Sequence, residues 1–205
     1  MTFIRAIPPE EATGELKQAY ERDRNAGQPG SIIRAWSLRP EALQATTALA
    51  DVVRANLDER RAEFIRVIAA AEVDCSVCSL QHGAMLLRSG FPPEQLGALA
   101  TDDRQVDLDP VEEAIAGFAT KVVQDSHQLE ESDIDELRAV GLDDAEIFDI
   151  VVWAWFCTYW SGVHNAIGYE PPTKWVSKTR SFLGEGLWET LSVGRRVGTD
   201  DATDT

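Results

Sequence analysis

Along most of the chain apolar residues return every three or four positions, and capping or turn residues interrupt them at intervals of roughly 15 to 20, the rhythm of helices. In PPEEATGELKQAYERDR, Thr13 is placed to cap a short helix carrying Leu16 and Tyr20, and NAGQPGS closes it with turn residues. SIIRAWSLRP leads to PEALQATTALADVVRANL, where Pro40 suits a first helical turn and Leu43, Leu49, Val52 and Val53 form an apolar stripe. From Asp58, DERRAEFIRVIAAAE is rich in helix formers, and a second helix is expected from Asp74, as its N-cap, to a stop at Gly90. After the acid-bearing loop TDDRQVDLDP, Pro110 opens VEEAIAGFATKVVQDS. Ser132 then caps DIDELRAV, Gly141 stops it, and Asp143 or Asp144 opens AEIFDIVVWAWFCTYWSGVHNAIG. Residues 151–160 are apolar nearly all round, which predicts either the deepest helix or one shared with a partner subunit. No stretch alternates with period two between hairpin turns, so the pattern predicts an all-α fold with antiparallel neighbours.

Beyond residue 171, Trp175, Phe182, Leu183, Leu187 and Trp188 predict a C-terminal arm that docks on the body or on a neighbour, and GTDDATDT reads as a frayed acidic tail. This divides the chain into one helical domain over residues 1–171 and an arm with its tail over 172–205. A length of 205 residues suits one core, and 44% apolar with 26% charged content is ordinary for a globular chain. The net charge of −16 argues against gripping nucleic acid or an anionic membrane, both of which need basic surface. MTFIRAIPPEE turns acidic at once, so no secretory signal is expected, and no apolar run reaches the ~18 residues of a membrane span. An odd cysteine count without an export signal points to a reducing, cytoplasmic compartment.

The chemistry concentrates in residues 63–82, EFIRVIAAAEVDCSVCSLQH. Cys75, Cys78 and His82 stand at i, i+3 and i+7, which a helix of about 3.6 residues per turn brings to nearly one face. If the chain reverses around Val73 and Asp74, residues whose numbers sum to about 145 face each other, and Glu63 lies level with His82. The carboxylate would raise the pKa of His82 and fix its tautomer, and the imidazole would take the proton of Cys78 and favour its thiolate. Cys75, at the helix start, gains from exposed backbone N–H groups and lies within disulfide reach of Cys78. Two thiolates, an imidazole and Glu63 also make a possible zinc set, and two small buried cysteines remain the plain alternative. Ser79 after Cys78 excludes a c-type haem motif. His127, in a polar stretch, reads as a surface residue; Cys157 reads as a core thiol; and His164 reads as a satisfied interior histidine more readily than as a pocket residue.

Glu63, then eleven residues, then Cys-x-x-Cys-x-x-x-His resembles the signature of the alkylhydroperoxidase D-like (AhpD-like), carboxymuconolactone decarboxylase superfamily. FIRAIPPEEATGELKQAYE, RAWSLRPEAL and ESDIDELRAVGLDDAEIFDIV running into AIGYEP are similar to its peroxidase-related branch, over residues 2–171. The resemblance implies an AhpD-like helical fold built around an antiparallel hairpin carrying CxxCxxxH, homo-oligomers, and reduction of hydroperoxides without cofactor or metal. It makes Cys78 the peroxidatic cysteine and Cys75 the resolving one, with Glu63 and His82 relaying protons and an external dithiol or protein reductant closing the cycle. Val77 stands where the peroxidase prototype has a relay histidine, and Ser161 and Gly162 stand where many relatives have Asn-Arg. The alternatives are a decarboxylase-like acid/base enzyme using Glu63 and His82, with Arg66 or Arg88 for substrate carboxylates, and a non-catalytic zinc or redox-sensing module.

Overall fold

A computed structural model describes residues 2–25, 31–101, 107–194 and 197. Most of NAGQPGS, half of the loop TDDRQVDLDP and the whole tail GTDDATDT lie outside the described residues. Among those described there are ten α-helices and no strand: α1 (Gly14–Asn25), α2 (Ser31–Ala35), α3 (Pro40–Arg54), α4 (Glu59–Glu72), α5 (Ser76–Arg88), α6 (Pro93–Leu99), α7 (Pro110–Asp125), α8 (Glu131–Ala139), α9 (Asp144–Ile167) and α10 (Thr173–Leu191). The all-α expectation holds. The short helices α2 and α6 are additions to it, α6 starting on Pro93, whose fixed φ suits a first turn.

Helix starts follow local chemistry. Asp58 accepts from the Arg61 amide, Asp109 caps α7 ahead of Pro110, and Asp143 with Glu146 forms a reciprocal capping box at α9. The start of α8 differs from expectation. Glu130, not Ser132, is its N-cap, because Asp133 reaches back to the Glu130 amide at 2.7 Å and so begins the helix two residues earlier.

The buried centre is α4, packed against α5, α7 and α9. Ala62, Phe64, Ile65, Val67, Ile68 and Ala69 are all buried, so α4 is enclosed on every side. The aromatic run of α9 is therefore not the deepest helix. It buries Trp153 and Phe156 on one face and leaves Phe148, Trp155 and Tyr159 exposed on the other. The α3 stripe is likewise split: Val53 is buried, but Leu49 and Val52 are 53% and 70% exposed. The apolar residues of α10 join the main core, with Leu183, Trp188 and Leu191 buried against α5 and α6 and Phe182 left outside. No described helix is long and apolar enough to cross a membrane.

The reversal between α4 and α5 determines where the cysteines fall. The Cys75 amide donates to Ala70 O at 2.8 Å and the Asp74 amide to Ala71 O at 3.0 Å, the paired bonds of a Schellman ending. Asp74 occupies its left-handed position, with φ of 53°, a conformation aspartate tolerates better than most residues. Because Asp74 closes α4, it is not free to cap α5, and Cys75 becomes the N-cap. Asn165 of α9 holds the turn by donating to Val73 O at 2.7 Å.

Candidate active site

The hairpin sets Glu63 and His82 level with each other. His82 Nδ1 donates to Glu63 Oε2 at 2.7 Å, leaving Nε2 as the basic nitrogen. Glu63 is fully buried, and its other oxygen accepts from Arg66 at 3.1 Å, with Arg54 at 3.9 Å. The Arg66 guanidinium also lies 4.4 Å from the centre of the Trp153 ring. Burial alone would raise the Glu63 carboxyl. The His82 hydrogen bond and the two arginines outweigh it and hold the group below its usual range.

His82 departs from expectation. Its pKa is lowered, not raised, because burial and the charges of Arg66 and Arg54 outweigh the attraction of Glu63. The tautomer is fixed as expected, but on a neutral ring.

The thiols divide unequally. Cys75 is drawn below the ordinary thiol range by a hydrogen bond from Cys78, against the opposing effect of burial, with help from the Cys78 and Val77 amides at the start of α5 and from Ser161. Cys78 goes the other way, held well above it by its hydrogen bond to Cys75 and by burial. The resting dithiol therefore places negative charge more readily on Cys75, whereas the sequence pointed to a Cys78 thiolate.

Cys78 opens onto a cavity of about 670 Å³ whose walls include Trp160, Trp175, Phe156, Tyr169, Arg66 and His82. Cys75 lies behind it, on a second cavity of only about 20 Å³ shared with Val197 and Asn165. Of the three tryptophans of α9, Trp160 alone lines the large cavity, stacked between Trp36 and Phe156. Trp175, assigned by sequence to the arm, donates to Gln81 at 2.7 Å and forms part of the wall.

The imidazole in contact with Cys78 comes from α9. His164 Nδ1 lies 3.7 Å from Cys78 Sγ. It is 5% exposed, lines both cavities, and its Nε2 has no hydrogen-bond partner among the described residues, so it is not the satisfied interior histidine the sequence favoured. Burial lowers its pKa to about 4. His127 is exposed beside Asp125, and Cys157 is buried, both as expected. Of the two arginines considered for substrate carboxylates, Arg66 lines the cavity but is tied to Glu63, and Arg88 lies away from it over the Phe182 ring at 4.5 Å. Among the described residues no three His, Cys, Asp or Glu side chains converge as a metal site, and His82 gives its Nδ1 to Glu63.

No protein-family model and no curated protein sequence matches the chain. Solved structures do. The alkylhydroperoxidase AhpD core of a peroxidase-related protein from Ralstonia eutropha JMP134 superposes with a TM-score of 0.75 at 24% identity, covering 87% of this chain and 96% of that one. A peroxidase-related protein from Silicibacter sp. TM1040 matches with the same values. The debrominase Bmp8, in complex with 2,3,4-tribromopyrrole, matches with a TM-score of 0.67 at 16% identity, over 90% of this chain and 98% of that one. The all-α architecture is thus the AhpD-like fold.

Proposed function

We propose that this AhpD-like helical protein is a dithiol oxidoreductase that reduces a small organic hydroperoxide. The observation that carries the reading is the placement of the two sulfurs: Cys78 faces an aromatic-walled cavity of about 670 Å³, and Cys75 waits behind it within hydrogen-bond reach. Cys78 attacks the peroxide and becomes a sulfenic acid, and Cys75 displaces water from it to give the disulfide. An external dithiol, small or protein-borne, restores the thiols by exchange, so the chemistry needs no metal or cofactor and belongs in a reducing compartment such as the cytoplasm. The cavity is far larger than hydrogen peroxide requires, and its aromatic walls favour an apolar substituent.

One equivalent of cumene hydroperoxide should remove two thiols, reversibly with dithiothreitol. Cys75→Ser should stop at a sulfenic acid on Cys78 that dimedone captures. Unchanged peroxide consumption by Cys78→Ser ends this reading.

The aromatic walls also fit a second reading, reductive dehalogenation of a small halogenated aromatic, in which the same two thiols supply the electron pair and the products are the hydrogen-bearing ring, halide and disulfide. Bmp8, which shares the fold, is a debrominase. Bromide release from a bromopyrrole with no turnover of hydroperoxide separates the two. The decarboxylase-like alternative is less well supported, because Arg66 is tied to Glu63 and Arg88 lies off the cavity.

A further inference from the structure

Cys78 sits within α5, buried but lining the large cavity, and it holds its proton tightly. A reaction that uses its sulfur as a nucleophile has to move that proton first, since the thiolate is the reactive form. The preceding side chain, Val77, carries no proton. His82 has one nitrogen committed to Glu63. Three groups lie against the sulfur: Cys75, the N-cap of its own helix; the Ser161 hydroxyl, which is no base near neutral pH; and the Nδ1 of His164, 86 residues further along the chain.

His164 is built for one position. Trp160 meets its ring edge-on at 5.2 Å and Tyr169 flanks it at 4.8 Å, while Tyr169 is itself held by Ser31 at 3.1 Å. The ring is almost wholly buried, yet one nitrogen is unpartnered among the described residues, an arrangement that costs on the order of 1–3 kcal/mol and is seldom kept without a use. The electrostatic neighbour of the ring is His82, and His164 itself rests neutral, with a lone pair available.

We infer that His164 is a catalytic residue: the base that receives the Cys78 proton and returns it to the departing oxygen. As the Cys78 sulfur forms its bond to the outer peroxide oxygen, its proton passes to Nδ1. The O–O bond breaks with its electron pair on the alkoxide, which then takes a proton from the imidazolium. The sum is thiol plus hydroperoxide giving sulfenic acid plus alcohol. The Cys75 thiol next forms the S–S bond, and its proton leaves with the sulfenic hydroxide as water. The second half of this role rests on the hydroperoxide reading, whereas the first, acceptance of the thiol proton, does not.

The test isolates the first half. In a Cys75→Ser, Cys157→Ser background, Cys78 is the sole thiol, and its alkylation by iodoacetamide across pH 5–9 reports proton removal without any peroxide. His164→Asn and His164→Phe are expected to slow alkylation near pH 7 by about tenfold or more and to move the profile to higher pH, with a smaller change in His82→Gln. Folded His164 variants that alkylate within about twofold of the parent overturn the inference. Should neither His164 variant fold, nitrogen NMR of the unsubstituted protein decides: an Nε2–H tautomer with bare Nδ1 supports the role, and an Nδ1–H tautomer overturns it. Alkylation that behaves as expected in a protein that ignores cumene hydroperoxide leaves His164 in place and removes the hydroperoxide reading instead.

Discussion

Glu63 and His82 meet across the α4–α5 hairpin at 2.7 Å, Oε2 to Nδ1, with the carboxylate fully buried. This contact joins the two central helices beneath the cavity, and Arg66 and Arg54 hold the carboxylate from the other side. Glu63→Ala strips Arg66 of a buried partner and frees the His82 ring. Loss of one member of a buried ionic cluster typically costs about 3–5 kcal/mol, and partial solvent access at Arg66 places the expected loss near the lower figure. Urea unfolding of the variant measures it, and a change under about 1 kcal/mol would show that the cluster contributes little.

Cys157 should be silent in the native protein. Burial pushes its pKa up to about 12, so near pH 8 only about one molecule in 10⁴ carries the thiolate. Mass spectrometry after native iodoacetamide treatment is expected to find Cys157 unmodified and to find it labelled after denaturation. Native labelling there contradicts the packing of α9.

Stability should fall with acid over a defined window. His164 titrates near pH 4 when folded and near 6.5 when unfolded, so the unfolded chain binds the proton first. Its contribution is complete above about pH 6.5 and is lost as pH falls through about 4, amounting to roughly 3 kcal/mol. His82 and Glu63, both shifted down, act in the same direction. His164→Phe should flatten the slope of unfolding free energy between pH 6.5 and 4, and an unchanged slope would place the titration elsewhere.

Gly194 lies against the start of α5. Its amide donates to Ser76 Oγ at 2.9 Å, and a Cβ there would overlap the Asp74 carbonyl oxygen. Gly194→Ala should lift the C-terminal turn from the hairpin, lowering the melting temperature by several degrees, on the order of 1–2 kcal/mol, and exposing Cys75 to thiol reagents. An unchanged melting point and Cys75 labelling rate would show that the turn is not seated there.

Self-association, expected from the family resemblance, has a candidate face. Phe148, Trp155 and Tyr159 project from one side of α9, and Leu49 and Val52 project from the adjacent α3. If copies of the chain meet here, Phe148→Glu with Trp155→Glu should lower the mass measured by sedimentation. An oligomer of unaltered mass points to another face.

The local features were legible in the sequence because each depends on residues close together along the chain. Helix formers after Asp58, the proline at 110 and the acids at 143 and 144 placed α4, α7 and α9, and the spacing from Glu63 to His82 determined that the two would pair once the hairpin formed. A competing local motif explains the shift at Cys75, since Asp74 was needed at the left-handed position that ends α4. What only the tertiary structure decided is the company the sulfurs keep. His164, Tyr169 and Trp175 reach the cavity from helices and loops far along the chain, with no periodicity to announce them. The hydrogen bond between the two thiols moved the favoured thiolate to Cys75, and burial reversed the expected direction at His82, because desolvation depends on everything packed around a group and not on its neighbours in sequence.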